Sequence, residues 1–281
     1  MLNTIYITHR NDWIIPFMYY PVIYSLLSLV PIIFINKKVV FNLNENVYES
    51  LIEGDVYIWV GDNTPNFLDI KQKNVYTIHY NLEPYILLSN SDEIWTYSLY
   101  LYDLYKINNT HVKFIPVIHN DTLPKTKYLE NNNSLELTFI GNLSIDNRIE
   151  KEKIINNSGV TINQIYNLWT DDEFNNYICN NRHIYLNITK SNTKALATLR
   201  INKLLSHKCI IISEYTNIYD EEIYKGIVFF KHLSEIGDFY KTMKNKSNDE
   251  LEYIAESVYQ KYINIFNKEN AIKLIKEHVI K

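Results

Sequence analysis

Glycine is scarce in this 281-residue chain, with six residues, and cysteine scarcer still, with two. The glycine shortage comes with specific absences. No G-x-G-x-x-G opens a helix, which argues against a nicotinamide or flavin dinucleotide site, and no phosphate loop ending in Gly-Lys-Ser/Thr occurs. A Gly-x-Ser-x-Gly nucleophile elbow is missing too. Cys179 and Cys209 lie far apart, outside any CxxC pair or His/Cys cluster, which excludes a zinc site of the usual spacing and points to a reducing compartment. Cys209 opens the apolar run Cys209–Ser213 and reads as a buried free thiol. No Asp-x-Asp is present, so a divalent ion holding a diphosphate has no evident carboxylate ligands. Nor is there an excess of positive charge: the net charge is −4, so nucleic acid is not an expected partner.

What the chain has in quantity is Asn, Ile, Lys and Tyr, a bias that an AT-rich coding genome produces without selection for function. Individual Asn, Lys and Tyr residues therefore weigh little, and each Gly, Arg, Trp or Pro weighs more. With 46% hydrophobic and 21% charged residues the composition is that of a globular protein, and the length suggests two domains at roughly 100–200 residues each. Trp13–Ile35 is long and apolar enough to span a bilayer. Its prolines at 16, 21 and 31, and the absence of preceding basic residues, favour a buried helix running into a strand, Pro31–Ile35. The strand-like opening Thr4–Thr8 is no secretory signal, and the expectation is a cytoplasmic protein with no integral membrane segment.

Short apolar, β-branched or aromatic runs recur along the first 120 residues: Thr4–Thr8, Ile32–Ile35, Val56–Val60, Val75–His79, Glu93–Tyr97 and Val112–Val117. Helical stretches at 11–28, 44–52 and 98–106 separate them. Continuous apolar runs of this length predict strands covered on both faces of a parallel sheet, and the alternation predicts a doubly wound α/β domain. The polar segment Lys125–Ser134 reads as a linker. A second α/β series follows. Strands are expected at 135–140, 160–166, 184–188, 209–213 and 227–230, helices at 147–157, 171–181, 196–207 and 219–224, and a helical tail over the last 45 residues or so.

Ligands of open parallel sheets sit beyond the carboxyl ends of the strands. That rule selects Thr8-His9, Gly61-Asp62, Tyr80-Asn81, Gly141-Asn142, Asn187 and Ser213-Glu214. Gly141, between a strand and a helix, lets backbone amides approach a phosphate, though an ordinary turn places a glycine there equally well. Arg148 is seven residues on and can add a charge-assisted contact. Arg200 sits in an otherwise apolar helix and needs an anion, either Glu214 or a ligand phosphate. Lys190 is placed to close over phosphates, or to be one more solvated lysine. His9 can serve as a general base near neutral pH, and an inert histidine is the commoner outcome at such a position.

The stretches Leu137-Thr-Phe-Ile-Gly141, Asn187, Leu199–Leu205, Cys209–Glu214 and Tyr224-x-x-Ile-Val-Phe229 resemble, in order and spacing, a group of GT-B glycosyltransferase-like proteins of bacteria and large DNA viruses. Tyr76–Glu83, Ile94–Ser98 and Phe114-Ile-Pro116 extend the likeness through the first half. The resemblance implies an α/β fold of two Rossmann-like domains facing across a cleft. The acceptor domain would span 1–125 and the donor domain 134–254, with the last helix, about 255–281, packing back on the first. It further implies transfer of a sugar from a nucleotide-diphosphate donor to a glycan, protein or lipid, without a metal or a resident cofactor, in the host cytoplasm for a viral member. Carried over residue by residue, Gly141, Asn142, Arg148, Asn187, Lys190, Arg200, Asn202 and Glu214 bind the donor, and His9 or Glu83 supplies the base. Departures are visible: two glutamates spaced by seven in many relatives are Lys194 and Asn202 here, Leu-Glu becomes Leu196-Ala197, and Trp-Asp-Tyr-Ser becomes Trp95-Thr-Tyr-Ser98. They leave open a degenerate member that binds a nucleotide sugar or glycan without turnover.

Overall fold

The computed structural model describes the chain except residues 1–3, 10–15, 36, 42–46, 62–65, 83–88, 109–110, 129–133, 146, 167, 169, 182, 191–193 and 280–281. It divides into two compact units, Met1–Ile118 with Lys268–Lys281, and His119–Asn267.

In unit 1 the order is β1 (Thr4–His9), α1 (Pro16–Ile33), β2 (Lys38–Phe41), α2 (Val47–Ser50), β3 (Val56–Gly61), α3 (Phe67–Lys71), β4 (Tyr76–Asn81), β5 (Glu93–Thr96), α4 (Leu99–Asn108) and β6 (Val112–Phe114). The strands form one parallel sheet in the order β2-β1-β3-β4-β5-β6. β3 is buried at every position, as its unbroken apolar run requires of a strand covered on both faces.

The expected strand at Ile32–Ile35 does not form. α1 continues through Pro21 and Pro31 to Ile33, and the edge strand is Lys38–Phe41. An apolar run fits a helix or a strand by period alone, and Pro31 has no N–H to give a ladder, whereas Val39-Val40 beyond the lysine pair has two. Val22, Leu26, Leu29 and Val30 of α1 are fully buried. Among the described residues no helix is long and apolar enough to cross a membrane.

Unit 2 runs β7 (Glu136–Ile140), α5 (Arg148–Asn156), β8 (Ile162–Ile165), α6 (Asp171–Asn180), β9 (His183–Asn187), α7 (Thr198–Ser206), β10 (Ile210–Glu214), α8 (Ile218–Ile223), β11 (Phe229–Lys231), α9 (Leu233–Lys244) and α10 (Asn248–Ile265). Its sheet is parallel in the order β11-β10-β9-β7-β8. Strand alternation divides the core into two layers. Ile184, Leu186, Ile210 and Ile212 pack with Ile155, Ile236 and Leu251 on one face, and Tyr185 and Ile211 pack with Phe174, Ile178, Leu204 and Tyr262 on the other. The segment before β7 is rooted in this unit: Tyr128 is fully buried, donates to the His183 carbonyl at 2.9 Å and accepts from the Ile210 amide at 3.1 Å. The last helix, α11 (Lys268–Val279), belongs to unit 1, where it touches β6 and α1.

Candidate functional site

The strand following β7 in sequence, β8, lies on one side of it and the next, β9, on the other, so a topological switch point opens between β7 and β9 at their carboxyl ends. Phe139, Gly141, Arg148, Asn187 and Arg200 converge there, with Glu214 one strand further along.

Gly141 has a φ of +142°, and a Cβ on it would meet Phe139 Cε1 at 3.0 Å and Arg200 Nη2 at 3.4 Å. Only glycine fits that backbone and that approach. Its amide, however, is not available to a phosphate, because it donates to the Ile165 carbonyl at 2.7 Å. Of the backbone amides expected to approach a phosphate at this turn, that of Gly141 itself is committed to β8, and what the glycine answers is the positive φ and the close Phe139 ring edge. Asn142 is exposed, and its Oδ1 accepts from the Ser144 amide at 2.8 Å while its carbonyl accepts from Arg148.

Two guanidinium groups share the Phe139 ring, that of Arg148 at 5.1 Å from the ring centre and that of Arg200 at 4.8 Å. Arg148 is buried and ties two strand exits together, donating from Nη1 to the Asn142 carbonyl at 2.9 Å and from Nε to the Ile188 carbonyl at 3.3 Å. Arg200 differs. The residue keeps partial exposure, but its Nη1 is fully buried and has no hydrogen-bond partner, and no described carboxylate pairs with it. Burial, and then the neighbouring Arg148, pull its pKa below the ordinary guanidinium value, down to about 9.

Glu214, the alternative partner foreseen for Arg200, is held elsewhere. Its Oε1 accepts from Lys151 Nζ at 2.7 Å, from the Thr189 amide at 2.6 Å and from Thr189 Oγ1 at 2.9 Å. Lys151 also donates to the Thr189 carbonyl at 3.1 Å. Nothing in the composition sets Lys151 apart, because lysine is abundant. The signal that finds it is its place three residues after Arg148 and four before the buried Ile155, one face of α5.

Asn187 is buried at the end of β9. Its Nδ2 donates to Ser213 Oγ at 2.9 Å, and its Oδ1 is buried without a partner. Lys190 is half-buried on the segment that follows. Asn202 is not brought to this group. It is buried on α7, its Oδ1 accepts from the Tyr224 hydroxyl at 2.7 Å, and its carbonyl accepts from Tyr262 at 3.2 Å. That bond closes the core, and the helix turn that carries Arg200 to the strand exits carries Asn202, two residues on, away from them. In unit 1, His9 stands at the exit of β1, half-buried, its ring 5.8 Å from that of Phe41. Glu83 lies outside the described residues.

No protein-family model matches this chain, and no curated protein matches it in sequence. Solved structures do. HepE of Anabaena, in complex with UDP and glucose, matches with a TM-score of 0.61 at 9% identity, covering 98% of this chain and 98% of that one. The N-terminal domain of Candida albicans trehalose-6-phosphate phosphatase gives 0.52 at 9% identity, over 99% and 97%. A mutant of S. aureus TarM, in complex with fondaparinux, alpha-GlcNAc-glycerol and UDP, gives 0.50 at 9% identity over 80% of this chain, which spans only 55% of TarM. At such identities a likeness establishes the fold: this chain is built of two Rossmann-like α/β units of the GT-B type.

Proposed function

We propose that this protein is a glycosyltransferase that takes a sugar from a nucleotide-diphosphate donor to a glycan, protein or lipid acceptor, with the donor held by unit 2. The observation that carries the reading is Arg200, a guanidinium with a buried, unpartnered nitrogen beside a second arginine at the ligand end of a parallel sheet. A buried charge without a counter-ion is costly, and a diphosphate supplies the missing anion. The likeness to HepE, crystallised with UDP and glucose, supports the same ligand class.

In this reading Arg200 and Arg148 stabilise the charge that develops on the leaving diphosphate. Glu214, with Oε1 fixed by Lys151 and Thr189, offers Oε2 to the nucleoside hydroxyls. Lys190 closes over the phosphates. A base from unit 1, His9 or Glu83, activates the acceptor hydroxyl if configuration inverts. The guanidinium pair takes the part a divalent ion plays elsewhere, so binding of uridine or guanosine diphosphate is expected to survive a chelator.

A second reading, donor binding without turnover, rests on the start of α7. Its N-cap is Ala197, which makes no side-chain cap, where the resembling proteins carry a glutamate. Titration of the purified protein with UDP and GDP tests the shared part of both readings, with no binding as the overturning result. Release of UDP from a UDP-hexose in the presence of candidate acceptors then supports the enzyme, and its absence the binding protein.

A further inference from the structure

Several buried polar atoms in this protein lack a partner, and most lie inside the helix and sheet layers. Asn187 Oδ1 is different because it lies at the carboxyl end of β9, beside the switch point, in a residue that is 1% exposed. Its orientation is determined by its neighbour. The Ser213 hydroxyl gives its proton to the Glu214 carbonyl at 2.9 Å and so meets Asn187 only as an acceptor, which turns Nδ2 toward Ser213 and Oδ1 away. The next residues are committed as well: the Ile188 carbonyl to Arg148, and the Thr189 amide and hydroxyl to Glu214. Among the described residues Oδ1 has no donor, and a desolvated acceptor without one is costly enough to call for an explanation.

The polar groups at these exits also segregate by sense. Arg148 and Arg200 can only donate; Asn187 Oδ1 and Glu214 Oε2, on the adjacent strands β9 and β10, can only accept. A ligand that suits both halves carries an anion at one end and donors, hydroxyls, at the other. We infer that Asn187 is a specificity-determining residue whose Oδ1 accepts a hydrogen bond from a ring hydroxyl of the bound nucleotide sugar. This rests on the diphosphate assignment to Arg200 and adds what the neighbouring acceptor reads. The hydroxyl belongs either to the ribose or to the transferred hexose, and the experiment separates the two.

A site built to accept a hydroxyl proton rejects a ligand lacking that hydroxyl far more strongly than an apolar site rejects a size change. The test is calorimetric titration of wild type, Asn187→Leu and Asn187→Ala with UDP, 2'-deoxy-UDP, UDP-glucose and UDP-2-deoxyglucose, each variant first checked by thermal melt. The expected result is at least about a tenfold loss of affinity in the variants, confined to ligands that carry the hydroxyl being read. If UDP and UDP-glucose both weaken while 2'-deoxy-UDP does not, the ribose is read. If UDP is unchanged and UDP-glucose alone weakens, the hexose is read. Folded variants that bind all four as wild type does overturn the inference, with a buried water as the partner of Oδ1. Wild type that takes up neither UDP nor UDP-glucose overturns the diphosphate assignment and this inference with it, whereas binding that falls on Arg200→Ala but not on Asn187→Leu overturns this inference alone.

Discussion

The two units have parallel sheets wound by the same rules, and their strand exits are finished in opposite ways. In unit 1 the described uncharged polar side chains Thr8, Tyr80 and Asn81, near the ends of β1 and β4, find partners within the unit: Thr8 Oγ1 donates to the Tyr57 hydroxyl at 2.9 Å, Asn81 Nδ2 to the Tyr105 hydroxyl at 2.7 Å, and the Tyr80 hydroxyl to the Ile115 carbonyl at 2.9 Å. In unit 2 the corresponding ends gather two arginines, a lysine and a glutamate: Lys151 and Glu214 pair with each other, and among the described residues Arg200 Nη1 is buried without a partner. Topology places a ligand site at both; chemistry equips the described part of one for an anion. Parallel winding creates the place, and the unpartnered Arg200 nitrogen, not topology, is what supports an anionic occupant.

The largest effect is expected where unit 2's charges are balanced. Lys151→Met leaves Glu214 facing the interior without its cation and should cost about 3 kcal/mol of stability, the scale for breaking a buried pair. Urea unfolding midpoints measure it, and a variant as stable as wild type would show that Thr189 alone satisfies the carboxylate. Arg200→Ala is expected to behave in the opposite way. It removes a charge with no carboxylate partner among the described residues, so the melting temperature should hold or rise, while affinity for UDP falls by about 1.5–3 kcal/mol, the range for a charged hydrogen bond. An unfolded Arg200→Ala would return the arginine to a structural role.

That pairing shows where a sequence can be read and where it cannot. Arg200 stands out from sequence because arginine is rare in this chain and its helix neighbours are apolar. The C-terminal strands and helices are legible because their apolar runs are short and well punctuated. Which anion Arg200 faces is a different matter. Lys151 and Glu214 are 63 residues apart, and nothing local distinguishes that lysine from its many fellows. Gly141 reads as a phosphate turn, yet its amide goes to Ile165 in another strand, a choice set by sheet order. Asn202, spaced like a ligand residue, is claimed by a tyrosine 22 residues on.

The pH dependence sharpens the contrast at both ends of the scale. Burial, together with Arg148, brings Arg200 down to about 9, so UDP affinity should decline as the pH is raised past that value, and Arg200→Ala should lose the decline. A wild-type affinity that is flat to pH 10 would show that Arg200 keeps its proton in the folded protein, and the Arg200→Ala affinity then decides the assignment. At the acid end, burial pushes His119, His183 and His207, all in unit 2, down to about 4. The unfolded chain takes up protons below pH 6.5 that the folded unit refuses until about 4, so unit 2 loses stability as pH falls through that window. In unit 1, burial raises the Asp92 pKa but Lys71 and Thr77 outweigh it and hold the carboxyl below its usual 3.8, which delays the corresponding loss to lower pH. Hydrogen exchange at pH 5 should therefore show β9 and α7 opening before β3 and β4, and the reverse order would refute the comparison. The smallest effect expected is none: His9→Ala should leave UDP affinity unchanged, because the proposed donor site draws on unit 2 alone.

The chain leaves unit 1 at Ile118, completes unit 2 by Asn267, and only then supplies α11 to cover β6. On the ribosome this sets a timetable. Unit 2 can close as one continuous piece, while the earlier-made unit 1 waits for α11, and the surface of β6 that the helix packs on stays open to other nascent chains in the interval. Loss of a dozen residues from the end would make that wait permanent, and the damage would appear as aggregation of the half of the molecule made first.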